Sequence, residues 1–485
     1  MHLDRAATRS AEAPTEHLDV LIVGAGISGI DAAYHLQKRC PGKSYAIFEA
    51  RGRIGGTWDL FRYPGIRSDS DMYTLGFPFR PWRGEKAIAD GAAIRAYVEE
   101  TARAFGIDRK IRFGHKAIRA AWSSSEARWT VETEADGRTK RFSCAFLYLC
   151  SGYYDYAQGY RPHWPGEAGF RGRIVHPQSW PEDLDLAGKR VAVIGSGATA
   201  MTLVPALAGS AALVTMVQRS PSYVVSRPSR DRLARRLGAR LARAKNVALG
   251  LYFFSLARRR PAKARAALLD LVRKELPPGY DVETHFGPLY DPWDQRLCLV
   301  PDGDLFAAIR AGKAAVATGE IESFTADGLR LRSGEEIPAD IIVTATGLNV
   351  KLMGGIALSA DGEPVEAAGR LVYKGMMIED VPNLAFAFGY INASWTLKCD
   401  LSARYLCRLL KHMDGNGHRV CVPRNREPGM ERRPLLPFTS GYVARAADAL
   451  PRQGPKQPWR VPQNYFRDLW TLGLGRVADG VLEFR

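Results

Sequence analysis

Gly24, Gly26 and Gly29 stand in the pattern G-x-G-x-x-G, after an apolar run and at the start of a helical one. This spacing cradles a pyrophosphate. The first glycine allows a tight turn, the second lets phosphate approach the backbone, and the third lets helix and strand pack closely. The helix then offers its positive end to the anion. Glu49 lies 20 residues past Gly29, at the end of the next apolar run, where a carboxylate can accept ribose hydroxyls. The chain carries a second copy, Gly195, Ser196, Gly197, Ala198, Thr199, Ala200, continued by Met201 and Thr202. There the strand VTMVQRS ends in Arg219 and Ser220 instead of an acid. Arginine pairs with a 2′-phosphate that an acid would repel, and serine can add a hydrogen bond.

Each motif needs a buried parallel strand before it and a second strand after it. Both segments supply them: LDVLIVGAGISGIDAAYHLQKRCPGKSYAIFEA from Leu18 and KRVAVIGSGATAMTLVPALAGSAALVTMVQRS from Lys189. Apolar runs ending at glycine read as strands buried on both faces. The chain is therefore expected to be α/β, with two Rossmann-like dinucleotide-binding domains, the second inserted in the first. Two such sites point to FAD in the first and NADPH, in preference to NADH, in the second. Hydride then passes from nicotinamide to flavin. A disulfide acceptor is excluded because no C-x-x-C is present, which leaves oxygen as the leading acceptor.

A helix is expected near 92–106, with strands around Trp122, Trp129 to Glu134 and Phe146 to Cys150. Apolar strands ending at Ser151-Gly152 and Thr346-Gly347 are read as the two crossings between domains. The predicted boundaries are a disordered tail over 1–16, an FAD domain over 15–154 and 336–435, and an NADPH domain over 155–335. A wrapping tail occupies 436–485.

Composition supports an ordinary globular protein: 485 residues, 46% hydrophobic and 25% charged. The seven cysteines are odd in number and unspaced for zinc, so reduced, buried thiols and no metal site are expected. No apolar run is long enough to span a bilayer and the N-terminus has no apolar core of a signal peptide, so the reading is cytoplasmic. The net charge of +17 is concentrated: residues 227–275 hold 15 Lys or Arg against three acids. This basic helical insertion has apolar stripes. It is read either as a lid packed on its own domain or as a surface for peripheral association with an anionic membrane. No recognition motif accompanies the charge, so a nucleic-acid partner is not expected.

Two further motifs bear on the reaction. Residues 170–181 read FRGRIVHPQSWP, which is F-x-G-x-x-x-H-x-x-x-W-P, with His176 and Trp180 at its fixed places. Residues 55–69 read GGTWDLFRYPGIRSD. With these the chain resembles the Baeyer–Villiger type flavoprotein monooxygenases along nearly its whole length, and most of all their mycobacterial, thioamide-activating branch. The stretches YDPWDQRLCLVPDGDLF and NASWTLK carry the same likeness.

The resemblance implies roles. Thr57, Trp58, Asp59 and Leu60 match the loop around the flavin pyrophosphate and ring, Ser28 a cap near the phosphates, and Ala117 a backbone contact to adenine. Asp69 matches the carboxylate between flavin and nicotinamide, with Arg67 and Ser68 before it on the same loop. Arg296 matches the active-site arginine, a fixed cation beside an anionic flavin C4a-peroxide that Asp69 orients. Gln295 departs from the pattern, since many relatives carry lysine there against the 2′-phosphate. NADPH preference then rests on Arg219 and Ser220. His176 is read as serving the linker between domains. The implied activity inserts one atom of O2 into a ketone, giving an ester or lactone, or oxidises the sulfur of a thioether or thioamide. Two alternatives stand beside it: an S- or N-oxygenating flavoenzyme without Baeyer–Villiger activity, and a non-catalytic flavoprotein that docks on membranes.

Overall fold

The computed structural model describes residues 16–485 except Arg296 and Pro437, and leaves the side chains of Arg235 and Leu237 aside. Apart from Glu16, the expected N-terminal tail lies outside the described residues.

The first glycine motif sits between β1 (His17–Val23) and α1 (Ile27–Arg39), and β2 (Tyr45–Phe48) follows. Strand β1 is buried on both faces, as its apolar run requires. Val20 and Ile22 enter one hydrophobic core, while Leu18, Leu21 and Val23 enter another. Two short helices, α2 (Thr57–Leu60) and α3 (Met72–Leu75), and then α4 (Gly91–Ala104), lie between β2 and the edge strand β3 (Ile111–Arg112). A meander of β4 (Lys116–Ser123), β5 (Arg128–Ala135) and β6 (Arg138–Leu149) returns beside β1. In β1, Val20 faces Tyr45 on one side and Phe146 on the other, both in parallel register.

The second sheet is entirely parallel. It holds β7 (Arg173–Val175), β8 (Arg190–Ile194) and, after α5 (Ala198–Ala208), β9 (Leu213–Gln218). A side pair, β10 (Val224–Arg227) with β11 (Cys298–Pro301), brackets the basic insertion, which forms α6 (Arg232–Leu237), α7 (Ala239–Arg259) and α8 (Pro261–Glu275). Beyond β12 (Ala314–Thr318) comes a small antiparallel sheet of β13 (Ile321–Thr325), β14 (Gly328–Leu331) and β15 (Glu336–Pro338). Strand β16 (Ile341–Thr344) then inserts between β8 and β7, completing the order β12-β9-β8-β16-β7.

This corrects one expected boundary. Strand β15 joins the small antiparallel sheet and β16 the second sheet, so residues 336–344 do not belong to the returning flavin domain that was expected to begin at 336. Val343 pairs with Val193 on one side and Val175 on the other. An apolar strand beside a domain crossing is buried on either side of it, so its hydrophobicity cannot say which sheet it joins. The chain rejoins the first sheet through β17 (Ala357–Ala360) and β18 (Glu363–Pro364) and the strand Leu384–Phe386.

The crossings at 153–160 and 347–351 run side by side. Asp155 N–H donates to Asn349 O at 2.8 Å, and Lys351 N–H to Tyr153 O at 2.9 Å. His176 lies against them: the ring fills the space a Cβ on Gly159 would need. Burial lowers its pKa, and its Nδ1 accepts from Gln178 N–H at 3.1 Å. The C-terminal residues wrap the first domain. Strand Leu482–Phe484 pairs with Cys421–Pro423, and Lys398 on helix Trp395–Gly415 forms a buried 2.8 Å ion pair with Asp468. All seven cysteines are free and buried.

One buried polar cluster stands under the flavin-domain helices. His35 on α1 bonds Asp400 on helix Trp395–Gly415 at 2.8 Å, and Asp31 sits fully buried 3.9 Å from the same imidazole. Burial, then the neighbouring Asp400, pushes the Asp31 carboxyl well above the usual carboxylate range. A carboxyl raised on folding stabilises fully below its unfolded pKa, and that contribution is lost as pH rises through the folded value. Asp31→Asn is therefore expected to raise the melting temperature little at about pH 5 and by ~2 °C or more at about pH 8. Thermal melts across that window check it, and a pH-independent difference would contradict it.

Candidate dinucleotide and active site

Both helices that follow a glycine motif begin without a side-chain cap. The N-cap residues are Gly26 for α1 and Gly197 for α5, and neither helix start receives a side-chain hydrogen bond. Their first N–H groups are thus left for a ligand. Gly24 has φ +107°, and a Cβ there would sit 2.5 Å from Cys150 O. A Cβ on Gly29 would sit 1.9 Å from Gly24 O, so this position serves helix–strand packing. A Cβ on Gly197 would meet nothing within 4 Å, so the space before α5 is open.

Both helix starts face one cavity of about 1040 Å³. Its wall includes Gly24, Gly26, Ser28 and Glu49 from the first motif, and Ser196, Gly197, Ala198, Thr199 and Thr202 from the second. Thr57, Trp58, Arg67, Ser68, Asp69, Ala117, Arg219 and Ser220 also line it. Ala200 and Met201 do not; they are buried on the inner face of α5. Leu60 is likewise off the wall, and packs partly buried against the core of the second domain.

Glu49 is nine-tenths buried or more and is held in place by backbone: Oε2 accepts from Ala25 N–H at 2.8 Å and Oε1 from Arg51 N–H at 3.0 Å. Burial raises its pKa against those bonds. Arg219, at the end of β9, is exposed and forms no ion pair among the described residues. Its neighbour Ser220 is tied to the glycine turn, since Ser196 Oγ donates to Ser220 O at 2.9 Å. The two sites therefore differ in charge as expected: a carboxylate ends β2, and a free guanidinium ends β9.

Two expected roles change. Ser28 does not cap α1. Its hydroxyl accepts from Trp395 Nε1 at 2.8 Å and donates to Cys399 Sγ at 3.4 Å, because helix Trp395–Gly415 packs over that position. Asp59 is buried, turned away from the cavity toward three partly exposed arginines, with Arg51 at 2.6 Å, Arg95 at 3.3 Å and Arg62 at 3.7 Å. It shapes the loop from behind. The loop itself approaches closely, since a Cβ on Gly56 (φ +55°) would lie 3.1 Å from Gly26 Cα.

The segment 63–69 spans both domains. A Cβ on Gly65 (φ +75°) would lie 2.6 Å from Ala206 Cβ on α5. Arg67 pairs with Asp304 of helix Asp304–Arg310, and also donates to Met201 O at 3.4 Å. Burial pushes the Tyr63 phenol, beside Thr199, up to about 12, so it stays protonated as a donor. Ser70 Oγ donates to Asp69 Oδ1 at 3.5 Å. Arg67 is thus a strut between domains as well as a wall residue. Arg296 lies outside the described residues; its neighbours Gln295 and Leu297 line the cavity.

The cavity also has an aromatic wall that was not anticipated. Tyr153 stacks on Trp395 with ring centroids 5.1 Å apart and a 19° interplanar angle, and Phe388 meets Trp395 edge-on at 5.4 Å. Tyr156 reaches Thr57 Oγ1 at 3.4 Å. Trp395 stands inside the NASWTLK motif, which was the available signal. Tyr153 and Tyr156 follow Gly152 at the first crossing, with nothing local to mark them.

Comparison with known proteins agrees with this geometry. Residues 22–83 match a model of the NAD(P)-binding Rossmann-like domain, and residues 86–236 match one described as flavin-binding monooxygenase-like. The chain is 56% identical over 479 residues to the FAD-containing monooxygenase EthA of Mycobacterium tuberculosis, covering 97% of this chain and 98% of that protein. Among solved structures, an oxidised steroid monooxygenase bound to NADP matches with a TM-score of 0.70 and 24% identity, covering 84% of this chain and 88% of the other. An ε-caprolactone-bound cyclohexanone monooxygenase matches with a TM-score of 0.76 and 19% identity, covering 97% and 100%. With uncapped glycine turns, a shared cavity and this identity along almost its full length, the chain belongs to the FAD-containing monooxygenases.

Proposed function

We propose that the protein takes electrons from NADPH through FAD and places one atom of O2 on a ketone, giving an ester or lactone, or on the sulfur of a thioether or thioamide. The observation that carries this reading is the single cavity reached by both helix starts, with Glu49 at one strand end and unpaired Arg219 at the other. Both motifs line that one cavity, so a hydride donor at the second and an acceptor at the first would share one space. The relatives fit this reading: one is named for its FAD, and one structural neighbour is described with NADP bound.

Bound FAD and NADPH supply the redox chemistry and the reaction with oxygen. The chain's own residues bind and orient. The open N–H groups of α1 and α5 hold the pyrophosphates, Glu49 holds ribose hydroxyls, and Arg219 with Ser220 holds the 2′-phosphate. Thr57 and Trp58 form a wall beside Gly26, and Ala117 lines the same cavity from β4. The aromatic wall of Tyr153, Phe388 and Trp395 gives an apolar substrate a dry surface, which suits a reaction that water would divert. Arg296 supplies a fixed cation for negative charge developing on oxygen, since a guanidinium does not lose its proton in proteins. Asp69, on the cavity wall, is its positioning carboxylate.

Substrate class is tested by product analysis of a ketone and sulfide panel under NADPH and O2. Esters or lactones, with or without sulfoxides, in step with NADPH use support the reading. With amines added to the panel, NADPH consumption yielding only sulfoxides and N-oxides, with no ester or lactone, would favour the first alternative, and no NADPH consumption at all would favour the second.

Two substitutions test the assigned residues. Arg219→Ala is expected to raise the KM for NADPH by about ten- to a hundredfold, as for loss of a charge-assisted phosphate contact, and to leave NADH kinetics nearly unchanged. Equal losses with both cofactors would refute the 2′-phosphate role. Arg296→Ala is expected to keep FAD bound while oxygenated product falls by ~10²-fold, with remaining NADPH oxidation diverted to hydrogen peroxide. Wild-type product formation in that variant would remove Arg296 from the chemistry.

A further inference from the structure

The basic insertion has two unlike faces. One is anchored to the protein. Arg243 on α7 donates to Tyr73 O at 3.1 Å, Thr74 O at 3.2 Å and Gly76 O at 2.7 Å, filling the end of α3. Val247 packs with Tyr390 and Leu397, and Phe254 meets Trp293 edge-on at 5.5 Å. The other face carries Leu249, Tyr252, Phe253 and Leu256. Their spacing of i, i+3, i+4, i+7 makes one apolar stripe, yet Tyr252 is 61% and Phe253 56% exposed. A soluble helix ordinarily turns such a stripe inward.

A second exposed apolar row lies on the element next to it. The segment 465–474 presents Phe466, Trp470 and Leu474, and Trp470 is 69% exposed. Leu251 of α7 packs with Tyr465 at the foot of this segment. The groove between them is bordered by Arg258 and Arg259 on one side and by Arg460 and Arg467 on the other. Among the described residues, Arg259, Arg260, Lys263, Arg460 and Arg467 form no ion pair, whereas Arg230, Lys245, Arg258, Arg265 and Arg273 of the insertion each do. Apolar rows rich in aromatic residues, rimmed by uncompensated cations, are the pattern of a segment lying in a membrane interface. No helix of the described residues is long and apolar enough to cross a membrane.

The geometry points to a docking face made by α7 and residues 465–474, whose partner is the surface of an anionic phospholipid bilayer. A second copy of the chain would bring two basic rims together, which repel, whereas anionic lipid complements them. The anchored face explains why docking need not unfold the insertion. The loop held against α7 by Phe254–Trp293 and by the 2.6 Å Arg258–Asp294 pair continues into Gln295 and Leu297 on the cavity wall. Docking thus lies next to the cavity and favours substrates dissolved in lipid.

The test is co-sedimentation of the FAD-loaded protein with phosphatidylcholine vesicles, with and without about 30% phosphatidylglycerol. Binding is expected to the anionic vesicles at low salt, with little to pure phosphatidylcholine and release at about 0.5 M salt. Tyr252→Ser/Phe253→Ser/Trp470→Ser and, separately, Arg259→Glu/Lys263→Glu are each expected to lower vesicle partition by about tenfold or more. FAD content and NADPH oxidation in solution should stay unchanged, which shows that the variants are folded. If the wild-type protein ignores anionic vesicles at low salt, the proposal is overturned. The same holds if both variants bind as wild type does, or if the serine variant merely dissociates an oligomer that never bound lipid.

Discussion

Two helices begin on glycine with no side chain over their first N–H groups, and both point into one cavity. Much of the remaining architecture follows from that arrangement. Uncapped N–H groups in a protein interior need an anion or water. Strands β1 and β8 deliver the two turns, each buried on both faces so that neither turn can shift. The carbonyls of Cys150 and Ala345, at the ends of the neighbouring strands, lie where a side chain on Gly24 or Gly195 would have to go. The two crossings begin beside those carbonyls, so the hinge between domains and the floors of both sites are built from the same short stretches.

The second constraint is alignment. Two dinucleotides on separate domains exchange hydride only if the domains are held at the right distance. Three contacts serve this. The paired crossings 153–160 and 347–351 carry the chain across with His176 packed against them, and the segment 63–69 reaches from the first domain onto α5. Arg67 closes that reach through Asp304. The family fingerprint around His176 is then intelligible as packing against a hinge. The imidazole, its pKa lowered by burial, faces linker backbone and not the cavity.

The sequence was most legible where structure is local. Both glycine turns fall between strand and helix, and Glu49 and Arg219 stand at the ends of β2 and β9 on the cavity wall, where their spacing puts them, because each position depends on a few residues along one strand–turn–helix unit. Legibility declined where partners are distant in the chain. Ser28 has the residue type of a cap, but its hydroxyl is claimed by Trp395, 367 residues away. Asp59 sits in a loop motif, yet its carboxylate is drawn inward by three arginines. Strand β16 was assigned to the wrong sheet because burial on both faces looks the same in either. The insertion was read as lid or membrane surface; its anchored face and its exposed stripe are both present, and the neighbouring exposed row at 466–474, far along the chain, could not be placed beside it from the sequence.

The central claim is that one cavity couples NADPH oxidation to oxygen insertion. It is tested most directly by turning over a ketone or sulfide under ¹⁸O₂ while NADPH and product are counted together. The account predicts one ¹⁸O atom in each product and one NADPH consumed for each product formed. Product oxygen drawn from water, or NADPH oxidation that proceeds without any oxygenated product across the panel, would contradict it.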